Sequence, residues 1–139
     1  MVFYGKLEIK STDVMLKARG LEPGGRVQKF IDNEMIKVMN PYTPRRNGVL
    51  IDSVTQHTVI GSGELEYGTP YDRYDYYGKL MVSPTTGSAW AKKGEKKVLT
   101  DKDIEFFGAP QRGPFWFERA KADNKDDILQ GARKVASSE

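Results

Sequence analysis

Charged and apolar residues alternate in KLEIK (6–10), with Leu7 and Ile9 on one face, and a period of two predicts a half-buried strand. Ser11, Thr12 and Asp13 are N-cap candidates for a short helix through VMLKAR (14–19), which Gly20 can end. The period then lengthens. Val27, Phe30, Ile31, Met35 and Val38 fall at helical spacing and form one apolar stripe, with Arg26, Lys29, Asp32 and Lys37 largely outside it. This second helix should stop near Met39, because Asn40 precedes Pro41 and a residue before proline avoids the α region.

NPYTPRRNG (40–48) is a turn-rich connector. VLIDSV (49–54) suits a short helix or a strand, and its period does not choose between them. TQHTVI (55–60) and ELEY (64–67) flank GSG and predict a hairpin, with Glu64 and Glu66 facing away from Leu65 and Tyr67. In YGTPYDRYDYYGK (67–79), Thr69 suits an N-cap, Pro70 the first helical position and Gly78 the left-handed end. On that short helix Tyr71, Tyr74 and Tyr77 line one side. Two of them should cover the sheet; a tyrosine-lined ligand or base-stacking platform is the other reading.

KLMV (79–82) and KVLTDKDIEFF (97–107) read as strands, the second with Lys102, Ile104 and Phe106 on one face. Between them SPTTGSAWAKKGEKK (83–97) is a polar excursion bearing Trp90, Lys92, Lys93, Lys96 and Lys97, expected as an exposed loop or hairpin arm. After GAPQRG (108–113), Pro114 should open a last helix whose inward stripe is Phe117, Ala120, Asn124, Ile128, Ala132 and Val135. Phe115, Trp116 and Phe117 stand side by side at its mouth. Neighbours on a helix diverge by roughly 100°, so the three cannot enter one core together. Either several buried surfaces meet there or part of the cluster awaits a partner.

A length of 139 residues fits one domain, and 38% hydrophobic residues supply a modest core. No run approaches the roughly 20 apolar residues of a membrane span, and MVFYGKLEIK lacks the apolar stretch of a secretion signal, so neither membrane nor export is expected. With no cysteine, disulfides, thiolate metal sites and cysteine nucleophiles are excluded. His57 is the single histidine, which excludes a His–His metal site within one chain. The net charge of +3 permits contact with nucleic acid or an acidic protein but is weaker than that of a dedicated DNA-binding arm.

Candidate chemistry is sparse. Asp101, Asp103 and Glu105 share a strand face and could hold Mg²⁺ for phosphoryl chemistry, although a solvated strand face gives the same pattern. Asp123, Asp126 and Asp127, interspersed with Lys121 and Lys125, read as a solvated helix face. His57, with no paired acid or Gly-flanked serine, reads as an exposed strand histidine. GGR and GSGELEYG match neither a P-loop nor a dinucleotide fingerprint. No catalytic residue, metal or cofactor is expected, and the chain reads as non-enzymatic. The basic loop is the stronger candidate: Trp90 could stack on a base while the lysines meet phosphates, or the arm could grip an acidic neighbouring subunit, or it is simply solvated.

PYTPRRNGVLIDSV (41–54), ELEYGTPYDRYDYYGKLMV (64–82) and KVLTDKDIEFFGAPQRGPFWFERAKADNKDDIL (97–129) together resemble minor capsid proteins of long-tailed bacteriophages. Within that group the similarity is to head–tail joining, or tail-completion, neck proteins, over residues 20–135. It implies a single α+β domain spanning residues 1–139, an antiparallel sheet packed by a long helix of the N-terminal half and a C-terminal helix, with an arm around 83–97. It also implies a homo-oligomeric ring, sixfold rather than twelvefold, in the virion neck, assembled in the host cytoplasm. The implied neighbours are connector proteins, a tail terminator or tail-tube protein, and DNA threading the ring without sequence specificity. On this resemblance Phe117 would seat the last helix on the sheet, while Phe115 or Trp116 would fill a pocket at the helix base or on an adjacent subunit. The candidate interface residues are Trp90, Lys92, Lys93, Lys96, Lys97, Phe115 and Trp116. The alternative is a nucleic-acid-binding module using loop 90–97.

Overall fold

The longest apolar stripes become the two longest helices. A computed structural model describes residues 1–6, 13–45, 48–88, 90, 92–104 and 111–137. Helix α2 (Arg26–Met39) buries Val27, Gln28, Ile31, Asp32, Met35 and Met39. Its phase departs from the expected stripe at one telling position: Asp32, placed outside by its charge, is 1% exposed, while Phe30 and Val38 are only partly covered. The helix stops at Met39 as expected, but not for the expected reason: Asn40 keeps α-region dihedrals (φ −51°, ψ −50°) before Pro41, and the chain tightens into a 3-10 turn over Asn40–Tyr42, where Pro41 has no N–H to continue the α ladder. Thr43 closes that turn, donating both its N–H (3.0 Å) and its hydroxyl (2.8 Å) to the Met39 carbonyl.

The C-terminal helix α5 (Trp116–Ser137) packs along α2 and begins two residues beyond Pro114. Gly131 lets the two helices approach, since a Cβ there would lie 2.4 Å from the Phe30 ring. Arg26 reaches the far end of α5 and donates to the carbonyls of Val135 (3.1 Å) and Ala136 (3.5 Å), a cation at the negative end of the helix.

The sheet differs from the expected one. Strand β1 (Val2–Tyr4) pairs antiparallel with β2 (Glu64–Glu66), setting Phe3 opposite Leu65 on the buried face. The strand expected at 6–10 falls largely on residues outside those described. Helix α1 (Asp13–Ala18) forms where VMLKAR predicts it, and Gly20 ends it at φ 69°; the cap candidates Ser11 and Thr12 lie outside the described residues, and Asp13 is already helical. The TQHTVI–GSG–ELEY hairpin does not form. Residues 49–57 are helix α3 (Val49–His57), which burial of Leu50, Ser53 and Val54 at helical spacing favours over a strand.

Helix α4 (Asp72–Tyr77) ends on Gly78 at φ 66°, whose N–H bonds the Tyr74 carbonyl at 2.9 Å, as the αL signal predicts. Its N-cap is Tyr71 rather than Thr69, with Pro70 in the preceding turn. Strands β3 (Lys79–Val82) and β4 (Val98–Asp103) form a second antiparallel pair with an irregularity between Lys79 and Met81. The α+β class is therefore seen, but the described residues form two two-stranded sheets in place of one. The core gathers Phe3, Leu65, Tyr67 and Tyr76 with the buried faces of α2, α3 and α5; no residue of β3 or β4 belongs to it. No helix among the described residues is long and apolar enough to cross a membrane.

Candidate functional site

The three adjacent aromatics at 115–117 have three destinations, and the backbone at Phe115 separates them. Phe115 has φ 55°, a left-handed conformation that costs a non-glycine residue about 1–2 kcal/mol. Its N–H donates to the Tyr76 carbonyl (2.8 Å) and its carbonyl accepts from Arg119 N–H (3.1 Å), so it caps the new helix while tying it to α4. Its ring stays at the surface, 45% exposed, edge-on to Tyr76 and Tyr77. Trp116 turns inward and is 0% exposed, edge-on to Tyr67 (5.3 Å) and Tyr76 (4.7 Å). Phe117 is half-buried and stacks on Phe3 with 4.7 Å between centroids. One expectation is corrected here: Trp116, a candidate interface residue, takes the pocket within its own chain rather than one on a neighbour, and is out of a partner's reach. Phe117 does seat the helix on β1 through Phe3, but from the core's edge and not from within the core.

Around Trp116 the interior is aromatic and short of polar partners. Among the described residues the Trp116 Nε1 and the Tyr76 hydroxyl are buried with no partner at hydrogen-bond geometry. Burial pushes the Tyr67 phenol up to about 12, although Trp116 lies close enough to Tyr67 to oppose part of that shift. The tyrosines of α4 are also redistributed. Tyr71 and Tyr77, expected in part to cover the sheet, are exposed, Tyr74 is half-buried under a stacked Tyr71, and Tyr76 occupies the core.

The described residues of the 83–97 excursion lie in a long loop between paired strands, the arm that the sequence suggests. Its base is built. Buried Ser83 donates its hydroxyl to Glu95, and the same oxygen accepts the N–H groups of Thr85 and Thr86, both at 3.3 Å. Glu95 also accepts the Thr85 hydroxyl at 3.1 Å. Lys97 is drawn away from the basic group: its ammonium bonds the Tyr74 hydroxyl and lies 5.0 Å from that ring's centroid. What remains outside is Trp90, 84% exposed, with Lys92, Lys93 and Lys96.

The other candidates are placed apart. Asp101 and Asp103 are exposed on β4, and Asp103 pairs with Lys79, while Glu105 and Phe106 lie outside the described residues. On α5, Asp123 accepts the Tyr42 hydroxyl at 2.6 Å, and that bond raises the Tyr42 phenol above its ordinary value. His57 is exposed, but at the end of a helix and not on a strand; its Nδ1 lies 2.9 Å from the Ser53 carbonyl oxygen.

The residue that sequence reasoning missed is Asp32. One of its oxygens accepts Gln28 Nε2 (2.8 Å), the other the amides of Gly61 (2.7 Å) and Gly63 (3.2 Å), so a buried carboxylate pins the GSG loop. Gly61 and Gly63 have φ of 99° and 76°, which glycine adopts freely. The available signal was an acid between Ile31 and Met35 in an otherwise apolar stripe. A pocket of about 180 Å³ beside this loop is lined by Lys6, Leu21, Glu22, Gly24 and Gln28 among others, but the amides of Gly61 and Gly63 are already spent on Asp32. No family model, curated protein or solved structure matches this chain.

Proposed function

We propose that this chain is a structural protein of the bacteriophage neck, a non-enzymatic subunit of a ring that joins the DNA-filled capsid to the tail and surrounds the DNA passage. The observation that carries the reading is the arm. It lies outside the core, is closed on itself at the base by Ser83–Glu95 and tied to the body by Lys97–Tyr74, and ends on an exposed indole among exposed ammonium groups. A rigid base with an aromatic and cationic tip suits a subunit that must reach a neighbour in a permanent assembly, where aromatics commonly act as anchors. The stretches that resemble neck proteins supply the rest of the support, since they cover α3, the β2–α4–β3 passage and the start of α5.

Disrupting the gene should leave DNA-filled heads and finished tails unjoined, and purified protein added to that extract should restore joined particles. Normal joining without the protein would sink the reading. A nucleic-acid-binding module built on residues 90–97 is the second reading, favoured by the exposed Trp90 beside three exposed lysines. Steeply salt-dependent duplex affinity that is lost in Trp90→Ala would establish it instead.

A further inference from the structure

The arm has a counterpart on the same molecule. The buried face of the β1–β2 sheet packs through Phe3 and Leu65, whereas its outward face carries Val2, Tyr4, Glu64 and Glu66. Cross-strand register sets Tyr4 against Glu64 and Val2 against Glu66, so each carboxylate lies beside an apolar side chain. Tyr4 is 68% exposed and Val2 41%. The adjoining segment adds exposed Val59 and is tied to β2 by the Thr58 hydroxyl oxygen, which accepts the Glu66 N–H at 3.0 Å. Neither glutamate forms an ion pair among the described residues, and neither do Lys92, Lys93 or Lys96.

The arm tip and this sheet face match in kind: an indole for an apolar strip, ammonium groups for carboxylates. Residues 83–97 hold four lysines and one glutamate, so the arm carries the chain's whole net charge of +3 and the remainder is balanced. Outside the arm the chain thus has no net cation to offer a duplex, whereas a protein surface that pairs apolar with acidic groups engages both the indole and the ammonium groups of the tip. We infer that the arm of one copy docks on the outward β1–β2 face of a second copy of this chain, with Trp90 against Tyr4 and Val2 and the lysines against Glu64 and Glu66. The two surfaces are different, so the contact is head-to-tail, the kind of contact that builds a ring when the rotation between successive copies closes. This deepens the neck reading and rests on it.

Charge exchange in the full chain tests the contact. Lys92→Glu with Lys93→Glu and Lys96→Glu reverses the arm; Glu64→Lys with Glu66→Lys reverses the face. All five positions are exposed, and circular dichroism checks that each variant keeps its fold. Sedimentation velocity should show assembly by the wild type and a rise in apparent dissociation constant on the order of a hundredfold for each reversed variant. Mixing the two variants should restore assembly, because each arm then meets a face of opposite charge, and so should combining all five changes in one chain. Assembly unchanged in every variant overturns the docking and leaves the ring reading standing. A wild type that stays monomeric at its highest soluble concentration overturns both. Unchanged assembly with lost binding to a fluorescent duplex assigns the arm to nucleic acid and overturns the inference.

Discussion

Asp32 joins three segments that are distant along the chain. Gln28, which bonds Asp32, also donates to the Gly5 carbonyl at 3.1 Å, and Gly5 N–H reaches the Gly63 carbonyl at 2.8 Å, so the end of β1, one face of α2 and the GSG loop share one network. Asp32→Ala would leave buried donors without an acceptor and should cost about 3 kcal/mol or more, read as a lower urea midpoint at unchanged slope. Asp32→Asn should cost less, since one oxygen remains to accept. A change within error for the alanine variant would mean that water satisfies the loop amides. The network was not legible in the sequence because its partners lie far from position 32, and a local period sees only a charge in a stripe. A second residue-scale expectation concerns Tyr67, whose phenol moves from 10.0 to about 12 through burial. The folded chain holds this proton more tightly than the unfolded one. Stability from this group is therefore intact below pH 10 and is lost as pH rises through 12, by about 2–3 kcal/mol at full ionisation. Urea midpoints at about pH 9 and about pH 11.5 should diverge for the wild type and much less for Tyr67→Phe. Equal losses in both proteins would assign the fall to other groups, Tyr42 beside Asp123 among them.

Among the elements, those set by local chemistry were legible and those set by distant partners were not. Pro41 and Gly78 end helices where the sequence places those ends, and the positions 120, 128 and 132 of α5 are buried as their spacing implies. The start of α5 was misplaced because Phe115 takes a left-handed conformation, which shifts the inward position from Phe117 to Trp116, four residues before Ala120. The β-branched residues around His57 suggested a strand, yet residues 49–57 are helical because Leu50 and Val54 have a core to enter. The true partner of β2 is the stretch at residues 2–4, a pairing no hairpin signal could reveal. Gly78 offers a direct check on the α4–β3 junction. At φ 66° a β-branched side chain is strained, so Gly78→Val should cost about 1–2 kcal/mol and Gly78→Asn less, measured by denaturant titration. Equal stability of all three would show that the junction relaxes out of the left-handed conformation.

At the scale of the whole molecule the division is between a body that holds the core and a hairpin that adds little to it. Val98 and Leu99 are exposed, β4 is solvated along nearly its whole length, and an isolated two-stranded pair is marginal in water, so the hairpin is held chiefly by the packing of β3 on α4, to which Lys97–Tyr74 adds one bond. The arm was legible in the sequence as a polar excursion between two strand signals, but the capture of Lys97 by Tyr74 was not, because that contact depends on where α4 sits. Val82 and Val98 are register partners, which makes a clean removal feasible: a two-residue Asn-Gly turn can replace residues 83–97 and close the hairpin directly. The groups lost are mostly exposed polar ones, whose ion pairs and hydrogen bonds contribute about 1 kcal/mol or less each. The thermal midpoint of the shortened chain should therefore stay within about 5 °C of the wild type. Its self-association and its ability to join heads to tails should be abolished. A large fall in the midpoint would mean that the arm belongs to the folding unit, and unimpaired joining by a stable shortened chain would remove the arm from the function proposed for it.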